Sequence, residues 1–298
     1  MKALWSLWTK PALRPGSARW LSERHHLLAW ALSFARAREF YPRTALITDS
    51  LGKRWLVDEL GLPFDEVSTE LDALADADPR FWALGKLYAY RAQTEPFVHL
   101  DNDVFLWKRL PAALEQAAVL AQNPEYFTPG DPMAYYQPTM LSSALLEHGD
   151  DPWLPEPWRW AVERPGVHTA ACCGIFGGND HAFIRRYAEQ AIRMAEHPGN
   201  RSGWAAFDSH FDPNVHFEQY LLSACLDHQR HHGTEVEIAY LFPTHDAPFV
   251  ADEAARVGYT HLIGNAKQNP ELMERLDRRV LSEHPQLHER AAACSKLA

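Results

Sequence analysis

Short apolar runs that end in acids or turn residues alternate with stretches of helical periodicity, and this alternation constrains the chain most. ALWSLW (3–8), stopped by Thr9, Lys10 and Pro11, predicts a first buried strand. Residues 22–38 place Leu27, Leu28, Ala31, Leu32 and Ala35 at helical spacing behind Ser22, a good N-cap residue. TALITD (44–49) predicts a second strand, residues 51–60 a helix stopped by Gly61, and Glu66 to Ser68 a third strand. Asp78 and Pro79 read as the cap and first residue of a helix reaching about Gln93, which feeds the apolar run FVHLDND (97–103). Such alternation predicts a mostly parallel sheet flanked by helices. In such sheets ligands bind beyond the carboxyl ends of the strands, where Asp49, Asp101 and Asp103 fall.

Downstream, residues 111–122 predict a helix with Pro111 in its first turn. Residues 124–166, rich in Pro, Tyr and Trp, read as a long irregular excursion. HTAACCGIFGG (168–178) predicts a strand, Asp180 caps a helix after it, and another helix starts at Asp212 and Pro213. VEIAYLF (236–242) predicts a strand. GYTHLIGNAK (258–267) precedes a C-terminal helix marked by Leu272, Leu276 and Val280. No repeat or linker divides the sequence, so one α/β domain over 1–298 is expected.

The formal charge of −10 excludes a broad nucleic-acid face, which needs clustered cations to release phosphate counterions. Four cysteines without zinc-ribbon spacing read as free thiols in a reducing cytosol. No run approaches the roughly 20 apolar residues of a membrane span. The interrupted start does not read as a signal peptide, so a cytoplasmic protein is expected.

Asp101 and Asp103 flank Asn102 after buried-type Val98 and Leu100. In an extended segment residues two apart face the same way, so both carboxylates address one ligand. Oxygen ligands of this kind suit Mg²⁺ or Mn²⁺ bound together with a substrate phosphate. Far downstream, His261, Gly264 and Lys267 follow the spacing H-x-x-G-x-x-K. They offer an imidazole for a transition ion, close backbone approach for a phosphate, and a point charge for its oxygens. By themselves the two motifs also fit surface acids and a surface turn.

Together, D-x-D at a strand end and a distant H-x-x-G-x-x-K resemble glycosyltransferases of the GT-A fold, and in particular the retaining glycosyltransferase family 8. The resemblance implies a Rossmann-type mixed sheet. It also implies a manganese site made by Asp101, Asp103 and His261, with Lys267 on the donor diphosphate. CCGIFGGND resembles the family's N-A-G strand, with Cys172 in place of Asn. FEQYLL (217–222) resembles its D-Q-x-x-L segment, with Glu218 in place of Asp and Gln219 retained. Gln219 is thereby a candidate for the face of the sugar under attack. The family's tryptophan after the lysine is absent, since Gln268 and Asn269 follow.

Each remaining candidate has two readings. Asp49 either bonds the nucleoside or caps a helix. Lys86 either reaches the donor or snorkels at a helix edge. Trp8 and Thr9 sit at the end of the first strand, either beside the base or in the core. Asn102 is grouped with the donor side. Gly177 and Gly178 either let sugar approach the backbone or form the turn before Asp180. Trp153, with Trp158 and Trp160, either stacks on an acceptor or folds inward. His228, His231 and His232 look like a zinc cluster only superficially; they end a helix before Gly233, where its dipole favours cations, and read as surface residues.

The expected function is transfer of a sugar from a nucleotide-diphosphate donor, UDP-linked by resemblance, to a hydroxyl of a glycan, lipid or peptide. Retention needs no dedicated base, whereas inversion would call on a carboxylate such as Glu218. The alternatives are a silent binding protein on the same frame, or a metal-dependent nucleotidyltransferase. The second usually has a glycine-rich phosphate loop, whereas Thr9 to Gly16 contains one glycine.

Overall fold

The computed structural model describes residues 1–14, 19–208, 210–234 and 236–294. Pro15 and Gly16, part of the segment weighed above as a phosphate loop, lie outside the described residues. In chain order the strands are β1 (Lys2–Leu7), β2 (Thr44–Thr48), β3 (Glu66–Ser68), β4 (Phe97–Leu100) and β5 (Val104–Leu106). They continue with β6 (Val119–Phe127), β7 (His168–Gly178), β8 (Ile238–Tyr240) and β9 (Tyr259–His261). The architecture is mixed α/β with mostly parallel pairing, as the alternation requires.

The chain forms two compact units. The first comprises Met1–Pro79, Phe97–Pro111 and Asp246–Ala298. Its four parallel strands run in the order β3-β2-β1-β4, with Leu4 beside both Ala45 and His99. β1 and β2 are almost wholly buried, as strands covered on both faces are. The Glu23–Arg38 helix buries Leu28, Ala31 and Leu32, and Ser22 caps it by accepting from the His25 N–H. Trp5 of β1 donates its indole N–H to Ser33 of that helix (3.0 Å). β5 and β9 form a separate antiparallel ribbon in this unit. The helices Pro270–Glu283 and Pro285–Cys294 pack on Glu23–Arg38, where Arg24 pairs with Asp277 at 2.7 Å. β1 has β2 on one side and β4 on the other, so the strand order reverses there. The carboxyl ends of such strands are where ligands bind.

The second unit comprises Arg80–Pro96 and Ala112–His245. Its strands run β7-β6-β8, with β6 antiparallel to β7 and parallel to β8. Helices Leu84–Arg91 and His181–Glu196 pack together, and Asp180 caps the latter through the Phe183 N–H.

Three local expectations are corrected. Asp78 and Pro79 do not open a helix, which begins only at Leu84. Asn214 holds the preceding turn open instead, accepting from the Ala83 N–H (2.9 Å) and donating to the Arg80 carbonyl (2.8 Å). The predicted helix at 111–122 shrinks to Ala112–Glu115, and Val119 onward is strand β6. Val119 to Asn123 are fully buried between β7 and β8, and that pairing overrides local helical spacing. Residues 124–166 are not irregular throughout. They hold the end of β6 and two helices, Pro138–His148 and Glu156–Val162, both with proline in the first turn.

Candidate functional site

In the first unit Asp101, Asp103 and His261 offer three ligand atoms that all lie within 4.8 Å of one another. The two carboxylates converge by a route the sequence did not suggest. Residues 101–104 form a turn closed by the Val104 N–H on the Asp101 carbonyl (3.0 Å), and not an extended segment. His261 arrives from β9, directly opposite Val104, and the Leu262 N–H bonds the Asp103 carbonyl at 3.0 Å.

Asp103 is 2% exposed, and His261 Nε2 stands 3.4 Å from its Oδ1. Lys267 forms an ion pair with its other oxygen. Burial alone would raise the Asp103 pKa, but His261 and Lys267 outweigh it and hold the carboxyl well below the usual range. Oδ1 is buried without a hydrogen bond among the described residues. Asp101 is held from behind. Its carbonyl accepts from Ser33 (3.3 Å), and its carboxylate lies 3.8 Å from Nδ1 of buried His99, whose Nε2 meets Ser6 Oγ at 2.9 Å.

Thr9 and Asp49 meet at the ends of β1 and β2. Asp49 Oδ2 accepts from both the N–H and the hydroxyl of Thr9, each at 2.7 Å, while Oδ1 caps the next helical turn through the Gly52 N–H. The helix-cap reading of Asp49 thus has direct geometry behind it. Trp8 is buried in the core, and Gly264 opens a 3₁₀ turn in the left-handed region (φ 57°).

Sequence reasoning missed Trp20 and His26. Lys267 Nζ lies 5.7 Å from the Trp20 ring, which stacks on His26. The Leu21 N–H also bonds the Lys267 carbonyl (3.0 Å). The Trp30 indole N–H donates to His26 Nε2 (3.1 Å), and burial first, then Lys267, pushes His26 down to about 4. The i, i+4 spacing of His26 and Trp30 was a usable signal for that contact. Nothing local connects Trp20 with Lys267.

Of the remaining candidates, Asn102 sits in the 101–104 turn of the first unit and the others lie in the second. Lys86 pairs with fully buried Glu218 at 2.7 Å and donates to the Cys173 carbonyl at 3.1 Å. Gln219 lies in a π-helical turn, His216–Tyr220, and contacts the hydroxyl of buried Tyr136, which also meets Glu125. One phenolic proton cannot serve two acceptors. The Tyr136 hydroxyl lies against both acceptors, Gln219 Oε1 and Glu125 Oε2, and donates to one of them at a time. At Gly178 (φ 139°) a Cβ would lie 2.2 Å from the Ala118 carbonyl oxygen, so the turn by itself accounts for this glycine. Gly177 pairs with Leu120. Trp153 stacks under Arg193 (4.1 Å), and Trp158 is fully buried against Tyr220, an inward-folded aromatic as one reading had it.

A family model described as a family of unknown function, DUF6734, matches residues 1–294. No curated protein matches the chain. Among solved structures, galactosyltransferase LgtC in complex with donor and acceptor sugar analogs is similar at TM-score 0.43 and 11% identity, covering 92% of this chain and 96% of that one. An active-site mutant of LgtC is similar at TM-score 0.45 and 11% identity, covering 95% and 96%. The inositol-1-phosphate CTP transferase from T. maritima reaches TM-score 0.36 at 13% identity, covering 93% and 95%. Likeness at these scores says nothing about chemistry.

Proposed function

The chain belongs to the DUF6734 family, and we propose that it is a metal-dependent glycosyltransferase using a nucleotide-diphosphate sugar, UDP-linked, as donor. The observation that carries this reading is the convergence of Asp101, Asp103 and His261, with Lys267 on the same carboxylate. Two carboxylates and an imidazole suit Mn²⁺ better than Mg²⁺, which favours an all-oxygen shell. The buried Asp103 Oδ1 has no hydrogen bond among the described residues, which fits such an ion. The ion, when bound, supplies Lewis-acid neutralisation of diphosphate charge.

The protein groups then divide the work. Lys267 brings a point charge to the diphosphate oxygens, and Gly264 lets the backbone approach them. Thr9 and Asp49, locked together, shape the donor side at the ends of β1 and β2 beside Trp8. Asn102 joins them from the turn. In the transfer the bond between the anomeric carbon and the diphosphate breaks, a bond to the acceptor oxygen forms, and the acceptor proton is released. Glu218 is buried in its pair with Lys86, which fits a structural anion better than a base on an acceptor hydroxyl and favours retention. Gln219 is the group assigned to the sugar, held by Tyr136. Gly177 and Trp153 stay assigned to the acceptor side as a close-approach backbone and a stacking aromatic, whereas the turn accounts for Gly178. Among the described residues no helix is long and apolar enough to cross a membrane. Four free cysteines fit a cytoplasmic place of action.

Thermal unfolding with UDP or GDP, each with and without Mn²⁺, tests this. A ligand at 100 times its dissociation constant stabilises the fold by about 2.7 kcal/mol. Stabilisation that needs both nucleotide and metal, and that Asp103→Ala abolishes, supports the donor site. No shift with any nucleotide diphosphate overturns it. Binding without turnover of any sugar donor would favour the silent-binding alternative.

A further inference from the structure

The histidines at the end of the Leu221–His231 helix have no part in the donor site, which lies in the other unit. His228 and His232 stand four residues apart, the spacing that sets two imidazoles over one another on successive helical turns. Their ring centroids are 4.3 Å apart. His228 is mostly buried, and its Nε2 has no hydrogen bond among the described residues. Trp160 walls it off, standing edge-on to His228 (5.4 Å) with Arg164 over the indole at 4.5 Å. The atom facing that nitrogen is Glu156 Oε1 at 3.8 Å, from the first turn of the Glu156–Val162 helix packed alongside. That distance is too long for a hydrogen bond, but it is close to the spacing of two ligands of one metal ion.

We propose that His228, His232 and Glu156 form a second metal site, which chelates a divalent transition ion of the zinc class and ties the ends of these two helices together. Two imidazoles and one carboxylate are a usual zinc donor set and leave a fourth position for water. A cation there also meets the negative end of the Leu221–His231 helix. The trio is not fully gathered, since among the described residues only Asp101, Asp103 and His261 have all ligand atoms within 4.8 Å of one another. His232 is exposed, and chelation requires its ring to turn toward Glu156. His231, one residue short of the spacing, lies against Trp160 (5.1 Å) and is outside the set.

Calorimetric titration of the full chain with Zn²⁺ alone tests the site. The decisive comparison is Asp103→Asn, which removes the donor-site ligand, against the same chain carrying His228→Ala and His232→Ala. We expect the first to take up one zinc per chain and the second none. Equal uptake by both overturns the proposal, whatever happens at the donor site. His232→Ala alone, at an exposed position, guards against misfolding in the double variant and should also lose the zinc. Glu156→Gln should weaken binding by at least the ~10–100-fold seen when a ligand's outer partner is lost. Unchanged affinity in Glu156→Gln, or loss caused by His231→Ala and not by His232→Ala, overturns this ligand set.

Discussion

Val104 and His261 face each other across the β5–β9 ribbon, and this pairing sets a histidine from late in the chain beside the 101–103 turn. The register is pinned at its other end by the Trp107 N–H on the Gly258 carbonyl (2.8 Å). Gly258 has φ 71°, and a Cβ there would meet Lys108 Cγ at 2.5 Å. Lys108 in turn closes the Ala251–Val257 helix by donating to the Ala255 and Arg256 carbonyls. Gly258→Ala should therefore cost about 1–2 kcal/mol from the left-handed conformation alone, with more from the displaced lysine. Urea unfolding measures that cost. Manganese affinity at the proposed site should fall in the same variant, because His261 shifts with its strand. An unchanged affinity would mean that the ribbon does not set the position of His261.

Asp49 offers a second stability test. It satisfies the Thr9 N–H, the Thr9 hydroxyl and the Gly52 N–H in a buried pocket. Asp49→Asn turns one acceptor oxygen into an N–H₂ group, leaving donors facing donors. The expected loss is ~1–3 kcal/mol in denaturant unfolding. Thr9→Val removes only the hydroxyl and should cost ~1 kcal/mol. If Asp49→Asn leaves the midpoint in place, the cap is not what fixes the β1 and β2 ends.

His216 gives a pH dependence. It is fully buried, its Nε2 accepting from the Gln137 N–H (2.8 Å) while Nδ1–H donates to the Asp212 carbonyl (2.9 Å). A second proton would set Nε2–H against the Gln137 N–H. Burial pushes His216 down to about 4, outweighing the Asp212 contacts that raise it. The unfolded chain binds this proton near pH 6.5 and the folded chain does not until about 4, so stability is complete above 6.5 and falls as pH drops through the window. The slope approaches ~1.4 kcal/mol per pH unit, about 3 kcal/mol in all. The imidazole resonance of His216 should stay neutral on NMR titration down to about pH 5. Titration near 6.5 would refute the assignment.

Legibility in the sequence followed the range of the interactions. β1, β2 and β4 were readable because a strand covered on both faces must be apolar along its length, and the caps at Ser22 and Asp180 because their partners are three residues away. Asp101, Asp103, His261 and Lys267 were readable as residue types at fixed spacings, although the turn that joins the carboxylates was not. What escaped depends on distant partners. Asn214 delays the helix at Leu84, β7 and β8 make a strand of residues 119–122, and Trp20 meets Lys267 across almost the whole chain. No local period encodes those pairings.

Lys86 and Glu218 allow a double-mutant cycle. The carboxylate is fully buried, and the ammonium 2.7 Å away is nearly so. Removing one partner leaves the other charge in a medium that solvates it poorly, so Lys86→Met should cost ~3–5 kcal/mol. Removing both replaces a desolvated pair by packed neutral groups, and Lys86→Met with Glu218→Gln should recover most of that loss. The coupling energy from urea unfolding of the four proteins should therefore be large. Additive losses would mean that each charge is held by other neighbours, and that the ion pair does not set the conformation of the π-helical turn carrying Gln219.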